Sequence, residues 1–271
     1  MRYAIVSDVH GNAAALRTVL EMCGPLGIGQ VVCLGDIVGY GSSPNECCEI
    51  LQEQEIPSIV GNHDRAACGV FEPVYFPPTP RHRMIWTRSV LTAASKKYLL
   101  SLPETRVMDG AFVMAHGSLR YYSEYLLKEP AILHSFELLQ QNYAGLRICF
   151  HGHTHKQVIH EMFDGRLISH AAEQMQLRPD AKYLINPGSI GYPRYQGIPL
   201  SFAVYDQESS IVRLIKLSKD EYPQLYVAQA PEIHWNAALL REYAVFTGRS
   251  GVNFLKNRLS SANANKPKDT G

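Results

Sequence analysis

Short apolar runs of β-forming residues alternate with helix-periodic segments through the first sixty residues, and each run stops at a cluster of polar, metal-binding residue types. Tyr3 to Ser7 reads as a strand, Asn12 to Met22 as a helix with Ala15, Leu16, Val19 and Leu20 on one face, and Gln30 to Leu34 as the next strand. Pro44 to Gln54 reads as a second helix opened by proline after Ser42-Ser43, and Ile56 to Val60 as a third strand. A βαβαβ order predicts a largely parallel sheet with right-handed crossovers, which gathers ligand groups beyond the carboxyl ends of its strands. Asp8-Val9-His10, Gly35-Asp36 and Gly61-Asn62-His63-Asp64 occupy that place.

Beyond residue 80 the pattern changes. The stretch from Phe71 to Pro80 is rich in proline and aromatics and reads as a loop, followed by one helix from about Arg81 to Leu100 that could cap a site. Strand-like runs then dominate: 106–108, 111–115, 147–151, 157–162, 166–169, 183–185, 201–205 and 211–216, interrupted by a helix near Pro130 to Gln141. Asp109-Gly110 and Asp164-Gly165 stand between apolar runs, the signal of tight hairpins, so a second and more antiparallel sheet is expected. The reading is an α/β chain, a four-layer αββα sandwich of two mixed sheets flanked by helices. It forms one domain over residues 1–256, with a cap-like insertion at about 71–102. Weak helical patterns at 223–230 and 236–255 precede a tail, 257–271, with no apolar face, which is expected to be disordered.

Composition excludes several classes. With 271 residues, 46% hydrophobic content and 19% charged residues, the chain can bury an ordinary globular core. Its apolar runs are strand-sized, so no membrane span is expected. The net charge of +1, with dispersed basic residues, offers no extended nucleic-acid surface. Six cysteines without C-x-x-C spacing read as reduced and mostly buried, which points to the cytoplasm.

Two further clusters complete the set: His116-Gly117 and Gly152-His153-Thr154-His155. Taken singly, each cluster is an ordinary turn, helix-capping or core-histidine pattern. Jointly, Asp8, Asp36 and Asn62 with His10, His116, His153 and His155 are enough to hold two divalent ions, with Asp36 the natural bridge. Mixed carboxylate, amide and imidazole donors suit Mn²⁺, Fe²⁺ or Zn²⁺, manganese favoured, over Ca²⁺ or Mg²⁺.

This order of motifs resembles the calcineurin-like metallophosphoesterase superfamily, with its D-x-H, G-D, G-N-H-[D/E], H and G-H-x-H signatures. Gly35 to Gly41 and Asn186-Pro187-Gly188-Ser189 are similar to its small bacterial and archaeal phosphodiesterase branch, which includes proteins assigned as diadenosine polyphosphate hydrolases. The resemblance implies an αββα sandwich with a dinuclear centre, in which Asp8, His10, Asp36 and His155 hold one ion. Asp36, Asn62, His116 and His153 would hold the other. It further implies hydrolysis by a water that two ions about 3.5–4 Å apart acidify while they clamp the phosphoryl oxygens, with His63 stabilising charge and protonating the leaving oxygen. The protein serine/threonine phosphatase branch resembles G-D-x-x-D-R-G at the second motif, whereas Gly39 and Tyr40 stand here. The expected substrate is therefore a small phosphodiester or nucleotide polyphosphate. A phosphoprotein phosphatase and a non-catalytic scaffold are the alternatives. Arg194, Arg120 and His82, with Arg81 and Arg83 beside the last, are candidate phosphate contacts, and Tyr121, Tyr122 and Tyr125 candidate stacking surfaces for a base.

Overall fold

The computed structural model describes residues 1–71, 76, 78–195 and 197–226; the expected helix at 236–255 and the tail at 257–271 lie outside the described residues. In chain order the elements are β1 (Arg2–Val6), α1 (Ala13–Cys23), β2 (Gln30–Cys33), α2 (Pro44–Glu53), α3 (Asn62–Ala67), α4 (Pro78–Val90) and α5 (Ala93–Ser101). They continue with β3 (Thr105–Met108), β4 (Phe112–Ala115), α6 (Glu129–Asn142), β5 (Ile148–Phe150), β6 (Val158–Phe163), β7 (Arg166–His170), β8 (Gln174–Gln176), β9 (Lys182–Asn186), β10 (Leu200–Asp206), β11 (Ile211–Leu217) and a 3₁₀ turn at Pro223–Tyr226.

The strands form two mixed sheets, ordered β2-β1-β10-β11-β8 and β3-β4-β5-β9-β6-β7. Alternation along each strand sorts side chains into layers. From the first sheet, Tyr3, Ile5, Val32, Leu34, Ala203 and Val212 face Phe112, Met114, Phe150, Ile159, Tyr183 and Ile185 of the second. Ala4, Val6, Cys33, Phe202 and Val204 point the other way, against Leu16 and Val19 of α1 and Cys47 and Leu51 of α2. On the far side of the second sheet, Val113, Cys149 and Leu184 pack on Ile132, Phe136 and Leu139 of α6. Each fully buried side chain of this size contributes about 1.5–3 kcal/mol. The layers are thus helix, sheet, sheet, helix, as the sequence reading requires. Both Asp-Gly hairpins form as well: Asp109, Gly110, Asp164 and Gly165 all have positive φ, between 48° and 69°, at the β3–β4 and β6–β7 turns.

Four local expectations are corrected. Ile56 to Val60 is no strand: it meets β2 through a single bridge, Cys33 to Ser58, because Pro57 has no N–H to extend a ladder. The first sheet is in consequence mostly antiparallel; β1 pairs parallel with β2 alone, and the β10–β11 hairpin takes the other side of β1. The predicted helix from Arg81 to Leu100 is two helices, and the first of them begins at Pro78, inside the expected loop. Thr92 caps α5 by accepting from Ser95 N, and Asn45 of α2 binds both broken ends, donating to Val90 O and accepting from Thr92 N at 2.9 Å each. Strand β8, with no apolar alternation, gave no signal, and the helical pattern at 223–230 is a 3₁₀ turn as far as residue 226.

Candidate metal centre

Asp8 follows β1, Asp36 follows β2, His116 follows β4, His153 and His155 follow β5, and Asn62 opens α3. The two sheets face each other with these ends together, so seven side chains from distant parts of the sequence meet in one place. All are buried, none more than 5% exposed. The backbone there is strained: Asp8, His10, Asp36, His153 and His155 all have φ between 50° and 66°, a region that side chains other than glycine rarely adopt. Such strain persists only where surrounding contacts hold it. Clearance is also minimal. A Cβ at Gly61 would collide with the Asp36 carboxylate and amide, and one at Gly152 with Ser7 Oγ and the Asp8 carboxylate.

The hydrogen bonds fix which atoms remain free. Asp8 Oδ2 accepts from Ser7 Oγ (2.6 Å) and His153 N (3.0 Å), and Asp36 Oδ1 accepts from His63 N (2.8 Å). The other oxygens, Asp8 Oδ1 and Asp36 Oδ2, are buried without any hydrogen-bond partner. Each imidazole is anchored through one nitrogen to a carbonyl: His10 Nδ1 to Val38 O (3.2 Å), His116 Nδ1 to Leu34 O (2.7 Å), His155 Nδ1 to Tyr192 O (2.8 Å) and His153 Nε2 to Ser123 O (3.0 Å). A carbonyl only accepts, so these nitrogens carry the protons and the opposite nitrogens are lone-pair donors, the arrangement seen behind metal-bound histidine.

Those free atoms converge in two sets. Asp8, His10 and His155 form one and Asp36, His116 and His153 another, each with ligand atoms within 4.8 Å of one another. Asp36 Oδ2 lies 3.8 Å from His10 Nε2 and 3.3 Å from His116 Nε2, so the same oxygen faces both sets. Asn62 Oδ1 stands 3.2 Å from His116 Nε2. His63 is 2% exposed and falls within the same reach of His10 and Asp36. Its ring packs on Phe76 (4.7 Å between centroids) and Tyr40 (5.1 Å).

Electrostatics favours cations here. Burial pushes the Asp8 and Asp36 carboxyls up, but His155 beside the first and His116 beside the second hold both well below the ordinary range. Burial would push His116 down, yet Asp36 raises it to about 9, so positive charge is favoured at this position, and a cation taking the Nε2 lone pair would displace the proton. His153 is pushed down to about 3, chiefly by burial, which leaves it a neutral donor. Two buried carboxylates with lone-pair nitrogens around them are costly unless a cation joins them. The donor set, oxygen and imidazole with no thiolate, fits divalent ions of the Mn²⁺, Fe²⁺ or Zn²⁺ kind.

Of the expected phosphate contacts, Arg194 lies against the centre: Nη1 donates to His153 O (3.0 Å) and Tyr125 Oη (2.9 Å). Arg120 is turned outward, exposed and paired with Glu124, with its guanidinium over Tyr121. His82 is half-buried on α4, whose neighbouring Arg83 and Thr87 bind the Tyr40 and Gly39 carbonyls instead. Sequence reasoning missed Ser7, which bonds Asp8, and every carbonyl that orients a histidine, since a backbone oxygen leaves no mark in a sequence. It also gave no role to Asp64, whose carboxylate accepts from Gly61 N and Val38 N and ties the second motif to the third. The acidic residue three places after Gly61 was the available signal.

The fold and this site define a metallophosphoesterase-type protein. Residues 1–210 match the calcineurin-like phosphoesterase superfamily domain, and the chain belongs to that family. It is 32% identical over 237 residues to an uncharacterised protein of Methanocaldococcus jannaschii, covering 84% of this chain and 93% of that one. A crystal structure of a metallophosphoesterase from Sphaerobacter thermophilus matches with a TM-score of 0.65 at 31% identity, over 90% of this chain and 98% of the other. A hypothetical protein from Pyrococcus horikoshii shares the fold, with a TM-score of 0.64 at 16% identity over 94% and 97%. Among the described residues no helix is long and apolar enough to cross a membrane.

Proposed function

We propose that this protein is a phosphoesterase dependent on two divalent metal ions, manganese favoured, that hydrolyses a phosphodiester or a nucleotide polyphosphate. The observation that carries the reading is the buried, unpartnered Asp36 Oδ2, which faces His10 on one side and His116 on the other. Asp8, His10, Asp36 and His155 would hold one ion and Asp36, Asn62, His116 and His153 the second. The ions supply Lewis acidity to the phosphoryl oxygens and make a water nucleophilic at neutral pH. His63 donates a proton to the departing oxygen, held in place by Tyr40 and Phe76. Arg194 neutralises a non-bridging oxygen, and α4, in the insertion at about 71–102, acts as a cap by pinning the Gly39-Tyr40 backbone.

Support for a diester over a phosphoprotein comes from His63 Nδ1, buried with no hydrogen-bond partner among the described residues. Among the described residues no carboxylate accepts a hydrogen bond from that nitrogen. The six cysteines are all free and each half-buried or buried, in keeping with a reducing, cytoplasmic setting. The deciding experiment measures turnover of bis-p-nitrophenyl phosphate, p-nitrophenyl phosphate and a phosphopeptide with added Mn²⁺. Preference for the diester, lost in Asp36→Asn, supports the reading. A wild-type protein that loads metal and cleaves none of the three would instead indicate a scaffold.

A further inference from the structure

Tyr125 touches both halves of the chemistry just described. It stands in the segment between β4 and α6, 43% exposed at the rim of the centre. Its ring lies flat on the His153 imidazole, with centroids 3.9 Å apart and planes at 19°. Its hydroxyl accepts from Arg194 Nη1 at 2.9 Å, and the Arg194 guanidinium sits 5.4 Å from the ring centroid. Arg194 closes the loop by donating from the same Nη1 to the His153 carbonyl. The chain segment carrying Tyr125 also supplies Ser123 O, which fixes the His153 tautomer. One short stretch, Ser123 to Tyr125, therefore sets the ring of a candidate ligand and the position of the guanidinium beside it.

The remaining donors of Arg194 make no hydrogen bond to the described residues, while Asp8, Asp36 and Tyr40 are near enough to act on its charge. A guanidinium with one nitrogen tied back and the others open, beside two carboxylates, suits an anion brought in by the cations. Held by the tyrosine hydroxyl, it loses less rotamer freedom when that anion binds.

We propose that Tyr125 is a positioning residue that couples occupancy of the His153 ion site to capture of the substrate phosphoryl group by Arg194, and this rests on the metal-dependent reading above. Stacking on His153 serves the metal; the hydroxyl serves the arginine. The two contributions separate chemically, because phenylalanine keeps the ring and removes the bond.

The test uses the full chain, stripped of metal and titrated calorimetrically with Mn²⁺, then the Mn²⁺-loaded protein titrated with inorganic phosphate. In Tyr125→Phe the expected result is Mn²⁺ affinity within about twofold of wild type and phosphate bound about threefold to tenfold more weakly, the size of one hydrogen bond. KM for the diester rises in step. In Tyr125→Ala phosphate affinity and one of the two Mn²⁺ affinities both fall. In Arg194→Ala phosphate affinity falls alone. Wild-type phosphate affinity in Tyr125→Phe overturns the proposal, as does unaltered Mn²⁺ loading in Tyr125→Ala. Both titrations are read without turnover, so a wild type that binds Mn²⁺ and phosphate but hydrolyses nothing removes the phosphoesterase reading and leaves the coupling to be judged by itself. A wild type that binds no divalent ion overturns both.

Discussion

His10 Nε2 and His155 Nε2 stand 3.1 Å apart, and each ring has its Nδ1 committed to a backbone carbonyl, Val38 for one and Tyr192 for the other. Two lone pairs therefore face each other in a buried site, with the unpartnered Asp8 Oδ1 lying 3.1 Å from the second nitrogen. A divalent cation turns this repulsion into attraction.

Metal removal is accordingly expected to destabilise the fold. Adding Mn²⁺ to stripped protein at about 100 times its dissociation constant stabilises by about 2.7 kcal/mol. A rise in Tm of about 5–10 °C follows for a chain of this size. Differential scanning fluorimetry with and without Mn²⁺ measures it, and a Tm that ignores the ion would count against the centre.

His63→Ala separates catalysis from metal binding. Its ring is held by Tyr40 and Phe76, and the contact to Asp36 comes from its backbone N, which alanine keeps. Diester turnover should fall about 10²- to 10⁴-fold, the usual worth of a general acid, with two ions still present by elemental analysis. Loss of an ion in this variant would make His63 a ligand instead.

Gly152→Ala should damage the centre more than the fold. The new methyl group is driven into Ser7 Oγ and the Asp8 carboxylate, whose orientation depends on the bond between them. Overpacking of this kind costs about 1–3 kcal/mol. Calorimetric Mn²⁺ titration should show at least one site weakened about tenfold, even where circular dichroism shows the chain folded. Unchanged affinity would mean the loop yields without moving Asp8.

Acid should weaken the fold through His160 of β6, which is outside the candidate ligand set and stacks on His151 at 6.4 Å. Burial, with help from His170, pushes its imidazole down to about 4, while an unfolded chain titrates near 6.5. Between those values the unfolded chain binds a proton that the folded chain refuses. Stability thus falls as pH drops from about 6.5 to 4, by up to about 1.4 kcal/mol per unit, and levels off below. Urea melts at pH 7 and pH 5 should show a smaller loss for His160→Gln than for wild type; equal losses would assign the acid sensitivity elsewhere.

What the sequence determined by itself is the set of strand-end clusters and the layer order. Both are local: Asp8, Asp36 and His116 directly follow apolar runs, and alternation along β1 or β4 declares which face meets a helix and which the other sheet. Tight turns were equally legible at Asp109-Gly110 and Asp164-Gly165, where φ alone selects the residues. Tertiary structure alone decided the pairing of β1 with β10, some two hundred residues away, because a strand's partner is chosen by packing and not by its own composition. The same holds for the break between α4 and α5, where Asn45 from another helix satisfies both ends. The nitrogen that each histidine offers, and the meeting of Tyr125 with His153 and Arg194, likewise depend on carbonyls and rings brought together only by the closed sandwich.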